Sequence, residues 1–341
     1  MTLPRAAPDG FEEVAAFLAT GRRFLLTGHR NPDGDSLGSC LALAFALRNA
    51  GKEAQVVMRD PWASSYDPLP GIDMVTVAEA LPAGWPTEFD ALVALECPGA
   101  DRPGYPDLLD GKVVNVDHHP GNARYGTLNL VDVEAAAAGE VVADLLDRLA
   151  WPITPEIATN LWVALVSDTG SFRYSNTTPK ALALGARLVG AGVRPGEVNE
   201  FLFEALPLSA LRLETLVLET LALHDGGRVA TLELPRRFFD VSGARSADTE
   251  NLVNRARGIE GVVAAALIRE SDEPGEFRCS LRSKGTVDVR AVAGLFAGGG
   301  HRNASGCRIH GTAESVRREL VARLSEAVTT GTAPTVEVAA R

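Results

Sequence analysis

The stretch Thr27 to Ser39, TGHRNPDGDSLGS, constrains this chain most. It follows an apolar run, Phe24-Leu25-Leu26, and leads into a long apolar, helix-favouring run from Leu41 to Leu47. A strand that stops, a turn of Asn, Pro, Asp and Gly, and then a helix is the edge where α/β proteins carry their chemistry. Pro32 and Gly34 fix the turn, so His29, Asp33 and Asp35 can converge. One imidazole and two hard carboxylates suit a divalent cation such as Mn²⁺ better than a thiolate site would. The competing reading is an Asx-rich turn that caps the next helix through Asp35 or Ser36.

Two further apolar runs end the same way. Ala91 to Leu95 is unbroken, as expected of a strand buried on both faces of a parallel sheet, and stops at Glu96. Lys112 to Val116 stops at Asp117-His118-His119-Pro120. A helical segment from Pro155 runs into Ser167-Asp168-Thr169-Gly170, where Asp168 could equally be a turn residue. Ligands of doubly wound sheets bind outside the carboxyl ends of the strands. His29, Asp33, Asp35, Glu96, Asp117, His118, His119 and Asp168 are enough donors for two metals that share a carboxylate. Such a pair activates water and stabilises the leaving oxygen in phosphoryl hydrolysis.

With 341 residues, the chain is long enough for two domains. The glycine-rich run from Gly190 to Gly196 marks where the first should end. The expected division is residues 1–190, a helical connecting segment 191–225, a second unit 226–330 and a flexible tail 331–341. The connecting segment contains two expected helices, Glu197 to Ala205 and Leu208 to His224. The second unit reads as strands over 228–234, 261–269 and 277–282, with helices over 248–257, 289–296 and 314–328.

Four scattered cysteines without a CxxC pair argue against a disulfide framework or zinc knuckle and fit a reducing cytoplasm. Arg5, Asp9, Glu12 and Glu13 stand where a signal peptide needs an apolar core, and no apolar run is long enough for a membrane span. A net charge of −11 opposes nonspecific coating of duplex nucleic acid. Residues 1–190 hold 14 basic against 24 acidic side chains, which suits a cation site in that half.

The second strong signal is Gly298 to Gly306, GGGHRNASG. Consecutive glycines let main-chain amides approach a phosphate closely. His301 and Arg302 add donors, and Asn303 could bond a base or ribose. Arg282, at a strand end with Ser283 and Lys284, supplies a further cation. The dull alternatives are a plain glycine turn and a solvated strand end.

Taken together, His29-Arg30-Asn31-Pro32-Asp33-Gly34-Asp35, Asp117-His118-His119, the SDTG around Asp168 and the GGGHRNASG loop resemble the DHH phosphoesterase superfamily. The resemblance is to its two-domain nanoRNase and phosphoadenosine-phosphate phosphatase type and covers nearly the whole chain. It implies an α/β fold of two lobes: a doubly wound, mainly parallel sheet, then a smaller DHH-associated domain, with the active-site cleft between them. It implies a hydrolase using two Mn²⁺ ions, with Mg²⁺ or Co²⁺ as substitutes, on very short RNA or DNA oligonucleotides and nucleotide bisphosphates. By motif, His29 and Asp33 would hold one metal and Asp35 with His118 the other. Asp168 would complete the set, Asp117 would support His118, and His119 would face the scissile phosphate. Arg282, His301 and the Gly299–Gly300 amides, beside Arg302 and Asn303, would hold the nucleotide. A homodimer would be in keeping with the family.

The chain departs from the family pattern at Glu96, where the family carries an aspartate. A glutamate can still bridge two metals, and Glu96 is read as that bridging ligand, but its extra methylene moves the carboxylate by roughly 1 Å. Rival readings are a single-strand exonuclease or cyclic-dinucleotide phosphodiesterase of the same fold, a pyrophosphatase, or a non-catalytic nucleotide-binding protein. Only 6% aromatic residues and the acidic balance disfavour a long stacking groove for single strands.

Overall fold

A computed structural model describes residues 8–249 and 252–330. The chain forms two compact units that divide between Ala205 and Leu206. The first contains strands β1 (Arg23–Thr27), β2 (Glu53–Met58), β3 (Val75–Val77), β4 (Ala91–Leu95), β5 (Val113–Asp117) and β6 (Leu128–Val131). Its helices are α1 (Phe11–Thr20), α2 (Gly34–Asn49), α3 (Ala138–Arg148), α4 (Pro155–Asp168), α5 (Pro179–Gly190) and α6 (Pro195–Phe203).

All six strands are parallel, in the order β3-β2-β1-β4-β5-β6. This is the doubly wound order, and its direction reverses between β1 and β4. Every residue of β4 and β5 is buried, so their near-continuous apolar runs follow from cover on both faces, by helices on one and by the irregular segments carrying Leu81, Trp85, Phe89, Tyr105 and Leu108 on the other. Asn115 is the polar residue inside β5, and its amide donates to the Ala94 and Cys97 carbonyls.

Helix α2 is the centre of the unit. Its Leu37, Leu41, Leu43 and Leu47 are fully buried, each worth about 1.5–3 kcal/mol of burial. It packs on α4 at a separation set by Gly38, where a Cβ would stand 2.4 Å from the Asn160 carbonyl oxygen. The helix begins at Gly34 because Asp33 caps it, accepting from the Ser36 amide at 2.9 Å. The cap is therefore Asp33, rather than Asp35 or Ser36.

The second unit contains α7 (Leu208–Leu218), β7 (Ala222–His224), β8 (Val229–Leu234), α8 (Arg237–Ser242), α9 (Leu252–Arg257), β9 (Ala264–Glu270), β10 (Glu276–Ser283), α10 (Val289–Gly294), β11 (Gly299–His301), β12 (Ala304–His310) and α11 (Ala313–Thr330). Its sheet runs β11-β12-β10-β9-β8-β7, with β8 and β9 parallel and the other pairs antiparallel.

Several elements differ from the sequence reading. Helix α7 stops at Leu218, and Ala222–His224 becomes an edge strand paired to β8. The two helices read as a connecting segment pack separately: Val198 of α6 joins the first core, and Leu213 and Val217 of α7 join the second. Strands β6 and β12 and helix α8 carry too little periodicity of their own to be read locally. The glycine-rich run is a hairpin, with Gly299↔Gly306 and His301↔Ala304 in register about the Arg302-Asn303 turn. The helix expected over 248–257 is a 3-10 turn, Ser246–Thr249, followed by α9, and the two residues between lie outside the described ones. The tail 331–341 and Arg5 lie outside them too. Among the described residues, no helix is long and apolar enough to cross a membrane.

Candidate metal centre at the carboxyl edge of the parallel sheet

Strands β1, β4 and β5 are neighbours, with Thr27 paired to Ala94 and Leu95 to Val116, so their carboxyl ends lie side by side. His29 follows β1, Glu96 follows β4, and Asp117 ends β5. Their meeting place is the sheet's topological switch point.

The donors fall into two triplets, His29–Asp33–Glu96 and Asp35–His118–Asp168, and the donor atoms of each lie within 4.8 Å of one another. His29 Nε2 stands 2.6 Å from Glu96 Oε2 and 3.6 Å from Asp33 Oδ1. His118 Nε2 stands 3.2 Å from Asp168 Oδ2 and 3.5 Å from Asp35 Oδ2. Both rings are oriented through their other nitrogen. His29 Nδ1 contacts the Arg30 carbonyl at 2.7 Å, and His118 Nδ1 contacts the Ala135 carbonyl at 3.2 Å. A proton held there turns the Nε2 lone pair toward the carboxylates, which is the arrangement of a metal-binding imidazole.

Asp35 is wholly buried and fixed on both oxygens. Oδ1 accepts from Ser39 Oγ at 2.8 Å and the Gly139 amide at 3.0 Å, and Oδ2 accepts from the Ala138 amide at 2.7 Å. The amino end of α3 thus holds the carboxylate in place, as helix amino ends hold anions. Asp168 is the last residue of α4 rather than part of the following turn.

Glu96 has φ +57, a left-handed conformation that costs an L residue about 1–2 kcal/mol. Its amide is held by the Val116 carbonyl at 3.0 Å, so the chain turns sharply at the sheet edge with the carboxylate at His29. The backbone therefore departs from the ordinary at the residue that follows β4.

Asp117 Oδ1 accepts from the His118 amide at 2.8 Å and contacts His119 Nδ1 at 2.9 Å. Its side-chain partner is thus the His119 ring, and its bond to His118 is to the main chain. Extended residues two apart share a side, which brings Asp117 and His119 together. His119 Nε2 then lies 3.6 Å from Glu96 Oε1. Local sequence reading missed Asn122, whose amide donates to Asp117 Oδ2 at 2.6 Å and to Asn115 Oδ1 at 2.8 Å. Its only local signal is a Gly-Asn turn after the histidines.

The charges are strongly coupled. Burial raises the pKa of Asp35, and nearby Asp168 raises it further. Burial also raises Glu96, although His29 opposes it. For His29, burial works downward but the facing Glu96 and Asp33 carboxylates outweigh it, and its pKa is well above the ordinary value. His118 is raised likewise, burial being outweighed by Asp168 and Asp35. Asp117 is pushed upward by burial, but its bonds to His119 and Asn122 hold it at about 2. Asp35 and Glu96, which hold protons more tightly than free carboxyls do, beside imidazoles that do the same, form a donor set lacking positive charge. Two imidazoles and four carboxylates, without thiolate, fit hard or borderline divalent cations.

In the second unit, Arg282 is the penultimate residue of β10 and its Nη1 donates to the Leu281 carbonyl. Gly299, Gly300 and His301 form the edge strand β11. Arg302 Nη2 donates to the Thr286 carbonyl at 2.8 Å. The Asn303 amide donates to Ser283 Oγ, the Gly285 carbonyl and the Val287 carbonyl, so this side chain ties the turn to its own unit.

The family model of the DHH family, N-terminal domain, matches residues 23–165, and that of the DHHA1 domain matches residues 228–330. The chain is 37% identical over 302 residues to the bifunctional oligoribonuclease and PAP phosphatase NrnA of Thermus thermophilus, covering 86% of this chain and 88% of that one. The chain belongs to the DHH family. A second member, the bifunctional oligoribonuclease and PAP phosphatase NrnA of Bacillus subtilis, is 27% identical over 299 residues, with 86% and 91% covered. The crystal structure of an exopolyphosphatase-related protein from Bacteroides fragilis superposes with a TM-score of 0.83 at 21% identity, covering 95% and 98% of the two chains. At that identity the shared property is the fold. The DHH motif of this member is Asp117-His118-His119, at the end of β5.

Proposed function

We propose that this DHH protein is a metal-dependent phosphoesterase that releases mononucleotides from very short oligoribonucleotides and converts 3′-phosphoadenosine 5′-phosphate to AMP. The observation that carries this reading is the pair of imidazole–carboxylate triplets at the switch point of a parallel sheet. The names of the relatives from Thermus thermophilus and Bacillus subtilis supply the substrate classes. Cytoplasmic action belongs to the same reading.

His29, Asp33 and Glu96 would hold one divalent ion, and Asp35, His118 and Asp168 the other. Mn²⁺ suits the mixed nitrogen and oxygen donors, with Mg²⁺ or Co²⁺ as substitutes. Such an ion pair supplies an activated water and neutralises charge on the leaving oxygen. Asp117 orients the His119 ring, so that Nε2 faces the scissile phosphate and can hold a proton there. Arg282 and Arg302 would provide cationic donors and His301 a ring nitrogen, and the Gly299–Gly300 segment of an edge strand would present main-chain amides to a phosphate. Asn303 contributes by fixing the turn that carries Arg302.

The test is mononucleotide release from 5′-labelled RNA of two to five residues, and phosphate release from 3′-phosphoadenosine 5′-phosphate. Each is run with Mn²⁺ and with chelator, beside His118→Ala and His119→Ala variants checked for folding. Turnover that needs Mn²⁺ and is lost in both variants is expected. Nucleotide binding without turnover in Mn²⁺ would reduce the chain to a binding protein.

A further inference from the structure

The triplet Asp35–His118–Asp168 is assembled from three distant stretches of chain, and one short segment bears on all three. Ala135 to Gly139 is buried throughout. Its Ala135 carbonyl meets His118 Nδ1 at 3.2 Å, and its Ala138 and Gly139 amides donate to Asp35 at 2.7 and 3.0 Å. It reaches the third donor residue through a side chain outside the triplet, Asn176. The Asn176 side-chain amide donates to the Ala136 carbonyl at 3.0 Å and to the Asp168 main-chain carbonyl at 3.1 Å. Both partners are acceptors, so the NH₂ group must face them, and both of its N–H donors are engaged.

The chain between Asp168 and Asn176 makes an uncommon turn. Gly170, Ser171 and Phe172 have φ of +56, +59 and +62, three left-handed residues in succession. That region is disfavoured for any residue with a Cβ, and a bulky aromatic there is an outlier. Neighbouring contacts maintain the turn. The Ser171 amide donates to the Val166 carbonyl at 2.7 Å and the Phe172 amide to Thr169 Oγ1 at 3.1 Å. The Phe172 ring packs edge-on against Trp162 of α4, with centroids 5.7 Å apart. Backbone strain held in place by its surroundings collects at functional sites. Here it reverses the chain and returns Asn176 to the end of α4.

We infer that Asn176 is a positioning residue of the metal centre. It locks the end of α4, which carries Asp168, to the segment that orients His118 and Asp35, so that the three donors keep one spacing. Capping α4 would take only the bond to Asp168; the bond to Ala136 joins that helix end to the supports of the other two donors. Outer partners of this kind fix ligand geometry without touching the ion. The inference rests on the metal centre proposed for this chain and adds the residue that holds its parts in register.

The experiment is Mn²⁺ titration of the full chain by calorimetry, with the melting temperature of the metal-free protein measured alongside. Asn176→Leu keeps the shape and removes both donors, and Asn176→Gln keeps an amide on a longer stem. Wild type should bind a pair of ions. Asn176→Leu should weaken one of them by about 10–100-fold and leave the other near wild type, with Asn176→Gln losing less. Asp168→Asn should weaken the same ion, and the Asp168→Asn, Asn176→Leu double variant should lose less than the two single losses combined, because one residue acts through the other. Wild-type affinity for both ions in Asn176→Leu would overturn the inference. So would equal weakening of both ions, or a lower melting temperature with both affinities intact, which are marks of a role in the fold alone. A wild type that binds no Mn²⁺ would sink the metal centre and this inference with it, an outcome read before any variant is made.

Discussion

Asp35 Oδ2 accepts a hydrogen bond from the main-chain amide of Ala138 at 2.7 Å, across more than a hundred residues of sequence. The carboxylate is at once the first-turn acid of α2 and the anion at the amino end of α3. Asp35→Asn keeps the shape but offers an NH₂ group where two amides and a hydroxyl now donate. The unmatched buried donor should cost about 1–3 kcal/mol, read by thermal denaturation. Mn²⁺ affinity, read by calorimetry, should fall by at least the roughly 10–100-fold seen when outer supports of a metal site are lost. Unchanged Mn²⁺ affinity would remove Asp35 from the ligand set.

Asn122 should matter to rate more than to fold. Its amide bridges Asp117 Oδ2 and Asn115 Oδ1, so it sets the angle of the carboxylate that orients His119. Asn122→Ala is expected to lower kcat by about 10–100-fold, with a far smaller change in KM and metal affinity. If KM rises and kcat is unchanged, Asn122 belongs to binding rather than to the orientation of His119.

Gly139 shows how closely the helices around Asp35 approach. A Cβ there would stand 2.6 Å from the Ala164 Cβ, and neither atom can swing aside. Gly139→Ala should therefore part α3 from α4, costing about 1–3 kcal/mol and displacing the amide that holds Asp35 Oδ1. Chemical denaturation measures the first effect and Mn²⁺ titration the second. A variant as stable as wild type would show that the helices part without strain.

Asp90 predicts a pH effect remote from the metal centre. Its Oδ2 accepts from the Arg23 and Arg22 amides at 2.9 and 2.6 Å, and these bonds lower its pKa. A carboxyl lowered on folding contributes stability that is fully present above its unfolded value, near about 3.9, and is lost as pH falls through the lower folded value. The difference in stability between wild type and Asp90→Asn should therefore be constant near neutrality and shrink below about pH 4. A difference that stays constant into that range would contradict the assignment.

Strand β1, its turn and α2 were legible because each signal was local: an apolar run, then Pro32 and Gly34, then an acid within the first helical turn. The same holds for β4 and β5, whose unbroken apolar runs required burial on both faces. From those three ends the donor residues could be collected in sequence. Patterning alone could not group them; the family resemblance paired His29 with Asp33 and Asp35 with His118, and which triplet Glu96 and Asp168 join depends on β1, β4 and β5 being adjacent in a sheet whose order differs from the chain order.

The same limit explains the rest. Asn122, the Ala135 carbonyl and the Ala138 and Gly139 amides act on the metal centre through main-chain or amide hydrogen bonds, which leave no residue pattern. Asn303 looked like a ligand for a base, but its donors meet Ser283, Gly285 and Val287 once β10 lies beside the hairpin. The sequence by itself determined which side chains could bind cations and which runs must be buried, because both depend on residue type and short-range periodicity. Only the tertiary structure decided which atoms face one another, because that depends on strand order, on the left-handed turn at Glu96 and on helix ends brought together across the fold.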